Sequence, residues 1–169
     1  SVSKMKALGI ATVMLTGDEK NSAQAVANET GIDEVYAQLL PQEKLEHLKN
    51  IRKNHGAVMF VGDGINDAPV LAGADVGAAM GSGADAAIEA ADVVFMNCSV
   101  EAIPQSIAIA KKTGSIAIQN VVFALVIKAI VMILGFLGFA NMWLAVFADT
   151  GVAMLCVLNS IRAMHVKTK

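Results

Sequence analysis

FVGDGINDAPVL, residues 60–71, decides how the first part of this chain is read. Val58, Met59, Phe60 and Val61 form an apolar run of strand length, and Gly62 and Gly64 interrupt it. Asp63 and Asp67 are then the first acidic groups beyond a buried strand, where open α/β sheets hold charged ligands. Two carboxylates this close repel each other unless a cation sits beside them. Mg²⁺ suits the pair, because it takes oxygen ligands, keeps several waters and bridges to phosphate. Asn66 is placed to support the same loop. The plainer alternative makes Asp67 a helix cap and leaves Asp63 in solvent.

Outward from this loop, strands and helices alternate. ATVMLTGD (11–18) reads as strand then turn, and a helix follows from about Lys20 to Thr30, stopped by Gly31. Pro41 opens a helix to about Asn54, with Leu45, Leu48 and Ile51 at helical spacing. Asn66–Ala74 reads as a short helix, Val76–Met80 as strand, Ala84–Ala91 as helix and Val93–Met96 as strand. Gly9 and Gly31 each end a helix before an isoleucine returns to the packed layer. Apolar strands without strict alternation indicate a parallel sheet covered on both faces.

Other polar residues follow strand ends. Thr16 offers a hydroxyl to an oxyanion beside the N–H groups around Gly17 and Asp18, or else caps the next helix. Lys44, one turn into its helix, is either solvated or held out toward a phosphoryl group. GSG (81–83) fits a tight turn, an anion contact or a plain loop. Asp85, Glu89 and Asp92 read as caps or surface charges.

Charge divides the chain. Residues 1–112 hold nine Lys or Arg and fourteen Asp or Glu, a net of 9 − 14 = −5. Residues 113–169 hold four and one, a net of 4 − 1 = +3. No basic stripe marks the first part, so nucleic acid is a poor partner. Cys98 and Cys156 lie too far apart in sequence to suggest a framework, and reduced thiols are expected.

From Thr113 to Ile161 the charged residues are Lys128 and Asp149 alone. Val121–Ala140 is long enough, at about 1.5 Å per residue, to cross a hydrocarbon core of about 30 Å. Trp143–Ile161 is a second span, and Asn141 and Met142 leave only a short turn between the two. Lys111 and Lys112 precede the hairpin and Arg162, Lys167 and Lys169 come after it, so both ends face the cytoplasm and Asn141 lies outside. Lys128 and Asp149 each cost about 2.5–3.5 kcal/mol at a helix centre. Their depths differ by about 7–8 Å at helical rise, within reach of a lysine stem. They form either a structural ion pair or a cation site in which Lys128 replaces the metal when Asp149 is empty.

TGD (16–18), PQEK (41–44), GDGINDAPVL (62–71), DVGAAMGSGADAAIEAADVV (75–94) and the two-span tail together resemble the C-terminal part of a P-type ATPase. The resemblance is to the heavy-metal pumps for zinc, cadmium and lead. It implies a haloacid-dehalogenase-like (Rossmann-like) α/β phosphorylation domain, partial, over residues 1–112. Two transmembrane helices come next at about 116–140 and 142–161, within 113–162, and then a basic cytoplasmic tail, 163–169. It implies Mg²⁺ on Asp63 with Asp67 and Asn66 in the same loop. It further implies phosphoryl contacts from Thr16, Gly17, Asp18 and Lys44, and a transported cation at Asp149 with Lys128 as counter-charge. ATP is then the substrate and Zn²⁺, Cd²⁺ or Pb²⁺ the cargo, with the lipid bilayer and the N-terminal parts of the same pump as partners. The protein is expected in the cell membrane, multi-pass, with its soluble domain and C-terminus cytoplasmic.

The Tyr-Asn and Met-x-x-Ser-Ser patterns of copper pumps do not occur in the tail. Nor do these residues contain the phosphorylated Asp-Lys-Thr-Gly string, the Thr-Gly-Glu or the Cys-Pro-Cys of the family. The expectation is therefore a C-terminal fragment, inactive alone because it lacks the nucleophile that divides phosphoryl transfer into two steps. The alternatives are a membrane-anchored phosphatase-like protein, a non-enzymatic partner-binding fragment, and a P-type pump for another cation.

Overall fold

The computed structural model describes residues 1–139 and 141–165, in two compact units, Ser1–Pro104 and Gln105–Lys169. Within the first unit the order is α1 (Val2–Ala7), β1 (Val13–Leu15), α2 (Lys20–Thr30), β2 (Glu34–Tyr36), α3 (Pro41–His55) and β3 (Met59–Gly62). A 3-10 turn (Ile65–Asp67), α4 (Ala68–Gly73), β4 (Val76–Met80), α5 (Asp85–Ala90) and β5 (Val93–Phe95) complete it. Every strand pair is parallel, in two sheets ordered β1-β2 and β3-β4-β5.

The alternation read from sequence holds, with three differences. β2 was not anticipated: only three residues long, it carries Glu34 and shows no apolar run. The strand expected at Val58–Val61 lies at Met59–Gly62, because Val58 is held at the strand's entry by Asp75. The helix expected from Asn66 begins as a 3-10 turn, and α-helical geometry starts at Ala68 with Pro69 in its first turn, where a missing N–H costs nothing.

One device recurs three times. Asp33, Asp75 and Asp92 each stand immediately before a strand, and each accepts an N–H at the start of the neighbouring strand. Asp33 Oδ2 accepts Thr12 N–H (2.9 Å), Asp75 Oδ2 accepts Val58 N–H (2.9 Å) and Asp92 Oδ2 accepts Gly77 N–H (2.8 Å). In each of the three strand pairs the next residues along open the register: Val13 with Glu34, Met59 with Val76, Ala78 with Val93. The carboxylate thus satisfies an orphan donor and pins the strand offset together. Asp92, read from sequence as a cap or surface charge, belongs to this set.

The core is made of small side chains and a few larger ones. Ala78, Ala79 and Ala87 are fully buried about β4, with Leu48 of α3 and Val70 and Leu71 of α4 packed in the same unit. Small residues let helices come close: a Cβ on Gly77 would lie 2.6 Å from the Leu71 carbonyl oxygen, and one on Gly73 would lie 2.6 Å from Leu45 Cδ1.

Most of α6 (Ala102–Phe136) belongs to the second unit. It starts well before the helix expected at about 116–140 and ends before that one does. Its end is a Schellman-type closure: Phe139 N–H donates to the Leu134 carbonyl, and Gly138 takes φ +78°. Asn141 then caps α7 (Met142–Val146), its Oδ1 accepting Leu144 N–H at 2.9 Å. The second span is not one regular helix. Phe147–Gly151 is a π turn, followed by α8 (Val152–Ser160) and a 3-10 turn (Ile161–His165). Ala140 and residues 166–169, with Lys167 and Lys169 of the basic tail, lie outside the described residues.

Both helical stretches, Ala102–Phe136 and Met142–Met164, are long and apolar enough to cross a membrane. Their apolar side chains are largely exposed, Ile133, Phe136, Trp143 and Leu158 among them, as expected of surfaces that meet lipid or other helices.

Candidate functional site

The loop after β3 folds back over the strand's end. Asp67 N–H donates to the Gly64 carbonyl (3.0 Å), and a Cβ on Gly62 would lie 2.9 Å from Asp67 Cβ. Only glycine at 62 lets Asp67 sit there. Lys44 Nζ lies 2.8 Å from Asp67 Oδ1, and both side chains are 15% exposed. Asp67, read from sequence as one of two acids sharing a cation, thus also meets the ammonium of Lys44. Pro41 and the Glu43 carboxylate, which accepts Leu40 N–H at 2.7 Å, fix the start of α3 and so the base from which Lys44 reaches.

Asp63 is exposed, and its carboxylate has no hydrogen-bond or ion-pair partner among the described residues. Its backbone, by contrast, is held. Ala84 N–H donates to the Asp63 carbonyl (2.9 Å), and a Cβ on Gly83 would lie 2.8 Å from that same oxygen. The GSG turn, open to several readings in sequence, is the brace beneath Asp63. Asn66 is exposed in the same 3-10 turn, where no hydrogen bond from its side chain occurs among the described residues.

The fit of Mg²⁺ can be judged from these donors. One uncommitted carboxylate on a fixed backbone, beside a second carboxylate already neutralised, matches an ion that keeps most of its waters and shares phosphate oxygens. No group of three or more His, Cys, Asp or Glu side chains able to enclose a metal occurs among the described residues.

Thr16, Gly17 and Asp18 come directly after β1. The Thr16 hydroxyl donates to Asp18 Oδ2 (2.8 Å), and Asp18 N–H donates to Thr16 Oγ1 (3.1 Å). Neither caps α2, whose N-cap is Glu19 and shows no side-chain cap bond. The loop is tied down by Leu39 N–H on the Thr16 carbonyl and Gln38 N–H on the Asp18 carbonyl, both 3.0 Å. Among the described residues no hydrogen bond or ion pair joins it to Lys44, Asp63 or Asp67.

In the second unit Lys128 Nζ lies 3.2 Å from Asp149 Oδ1, so the two charges anticipated within the spans do meet. They border an open surface hollow of about 260 Å³ with Val131, Met132, Ala145 and Ala148. Sequence reasoning, which counted charges, missed a second polar contact between the same two segments. Asn120 Nδ2 donates to the Cys156 carbonyl (3.1 Å) and to Ser160 Oγ (2.9 Å), and Asn159 Nδ2 donates to Asn120 Oδ1 (2.8 Å). Arg162 Nη1 donates in turn to Asn159 Oδ1 at 2.9 Å. An asparagine in each apolar segment was the available signal. Both cysteines are free.

A parallel α/β unit with acidic and basic groups beyond its strands, followed by two membrane-length helices sharing an ion pair, defines a hydrolase-like phosphoryl-transfer fold joined to a membrane hairpin. Residues 1–75 match the haloacid dehalogenase-like hydrolase family. The whole chain is 51% identical to a cadmium, zinc and cobalt-transporting ATPase of Bacillus subtilis, covering 25% of that protein. Over 96% of its length it is 49% identical to a zinc-transporting ATPase of Synechocystis, covering 23% of that protein. A crystal structure of a zinc-transporting PIB-type ATPase in the E2.Pi state superposes with a TM-score of 0.92 at 40% identity, over 97% of this chain and 27% of that one. Over nearly its whole length the chain is similar to heavy-metal-transporting P-type ATPases. It spans about a quarter of the length of the curated relatives it matches.

Proposed function

We propose that this chain is part of an ATP-driven exporter of divalent heavy-metal cations, Zn²⁺, Cd²⁺ or Pb²⁺, working through an aspartyl phosphate. The observation that carries the reading is the Lys128–Asp149 pair, 3.2 Å apart in two segments that hold no other charge from Thr113 to Ile161. Ionisable groups at membrane depth mark substrate and ion pathways. Asp149 takes the cation, and Lys128 neutralises Asp149 once the cation has left, so the carboxylate is never left bare.

In the first unit, Asp63 holds Mg²⁺, with Asp67 and Asn66 shaping its loop. When bound, that ion neutralises phosphoryl oxygens. Lys44 adds its positive charge at the same place, and Thr16, Gly17 and Asp18 supply a hydroxyl and N–H groups from the other loop. The phosphorylated aspartate comes from a part of the protein beyond these residues. The first unit and both ends of the hairpin lie in the cytoplasm, in keeping with Lys111, Lys112 and Arg162 at the hairpin's ends.

The test uses a full-length pump that contains this chain. Asp63→Ala is expected to abolish labelled phosphoenzyme formation from ATP. Asp149→Ala is expected to abolish stimulation of hydrolysis by Zn²⁺ or Cd²⁺. Normal stimulation in Asp149→Ala would reduce the ion pair to a structural pin and overturn the export reading.

A further inference from the structure

Asp149 does not stand on an α-helix. It is the middle residue of the π turn Phe147–Gly151, closed by Val152 N–H donating to the Phe147 carbonyl five residues back. Single π turns within α-helices are rare, and they concentrate at functional positions. The first and last residues of this turn touch each other. A Cβ on Gly151 would lie 2.7 Å from Phe147 Cδ2 and 2.9 Å from Phe147 Cε2, and its three nearest atoms all belong to that ring. The ring therefore lies on the bare Cα of Gly151. The glycine serves this contact, since no atom of α6 is among those nearest neighbours.

Beyond the turn, α8 is held in place. Asn120 of α6 grips it through the Cys156 carbonyl, Ser160 and Asn159, and Val152 is buried. If the wide turn rewound to α geometry, the residues before it would rotate by about 100° and shift by about 1.5 Å relative to α8. With α8 anchored, that change falls on Asp149 and draws its carboxylate away from Lys128.

We infer that Phe147 and Gly151 are positioning residues: the ring seated on the glycine holds the π turn open and so sets the direction of Asp149. The inference rests on the reading of Asp149 as the cation site. It makes a specific demand, because alanine is intrinsically a better helix former than glycine. Gly151→Ala should therefore leave folding intact or improve it while impairing the site.

In the full-length pump, Zn²⁺ titration of ATP hydrolysis is expected to show Gly151→Ala needing at least about tenfold more metal for half-stimulation, with thermal stability not reduced. Adding Phe147→Leu to Gly151→Ala removes the ring that the new methyl displaces, and is expected to recover most of that loss. Co²⁺ absorption in the visible range should change in Gly151→Ala and return toward the parent spectrum in the double variant. Asp149→Ala is the reference. If it titrates like the parent, the cation site is wrong and the inference falls with it. If Asp149→Ala is impaired but Gly151→Ala titrates like the parent, or Phe147→Leu brings no recovery, the positioning role alone is overturned.

Discussion

Lys44 Nζ and Asp67 Oδ1 lie 2.8 Å apart, 23 residues from each other in sequence, and both side chains are largely shielded from water. The contact ties α3 to the loop after β3. It also answers the electrostatic problem posed by two acids at one strand end, since Asp67 is neutralised from within the chain. Asp63 is left as the carboxylate open to a ligand.

Removing the ammonium strands a shielded carboxylate. Lys44→Met is therefore expected to destabilise the first unit by about 1–3 kcal/mol. Asp67→Asn in the same background should return part of that loss, because the pair is then removed together. Urea unfolding of the two single variants and the double variant measures the coupling. Additive losses would show that the two side chains do not interact.

Acid should act on the strand-entry aspartates. The Lys6 ammonium, then the Thr12 hydroxyl and N–H, hold Asp33 far below its ordinary value of 3.8. The Arg52 guanidinium, then Val58 N–H, lower Asp75 from the same value. A carboxylate whose folded pKa is depressed contributes stability that is complete above the unfolded value and is lost as pH falls toward the folded one. The first unit should thus hold its melting temperature from neutral pH to about 5 and lose it progressively below about 4. Asp33→Asn should lower the neutral-pH value and flatten the acid slope. A slope unchanged in both Asp33→Asn and Asp75→Asn would refute the assignment.

Much of this architecture is legible in sequence because it rests on runs and punctuation. Val76–Met80 is a strand wherever one looks, since five small or apolar residues sit between Asp75 and a glycine. Gly31 and Pro41 set helix limits by backbone geometry alone, so α2 and α3 were located closely. β2 was not, because three residues that include a glutamate give no periodic signal. The site was legible as a list of residues and not as a set of contacts. Lys44 reads in sequence as solvated or as held toward a phosphoryl group, and its contact with Asp67 depends on how α3 lies against α4. The π turn has no sequence signature beyond a glycine. The Asn120 contact was overlooked because a count of charges passes over amides.

The brace under Asp63 gives a test in which the altered residue carries no chemistry. Gly83→Ala would place a methyl group 2.8 Å from the Asp63 carbonyl oxygen and 3.0 Å from that of Met80. Backbone on both sides cannot swing aside as a flexible side chain can. A cost of about 1–3 kcal/mol is expected, together with weaker Mg²⁺ dependence of phosphoenzyme formation in the full-length pump. Wild-type stability and Mg²⁺ response would show that the turn yields freely and does not support the loop.

The amide contact between α6 and α8 should be worth more than its neighbours. In hydrocarbon, apolar surface gives no net drive for helices to associate, and packing with interhelical hydrogen bonds takes over. Asn120 uses its amide nitrogen twice and its amide oxygen once on residues of the opposite segment. Asn120→Leu keeps the volume nearly constant and removes all three. It is expected to weaken the hairpin by about 0.6–2 kcal/mol, read in mixed micelles from the emission of Trp143, the chain's one tryptophan. Asn159→Leu should give a smaller loss, since Asn120 would keep Ser160 and the Cys156 carbonyl. The double variant should lose beyond Asn120→Leu alone only what Asn159 gives to Arg162, because the Asn120–Asn159 contact has already gone. Full additivity of the two losses would place Asn159 in a separate contact and dissolve the clamp.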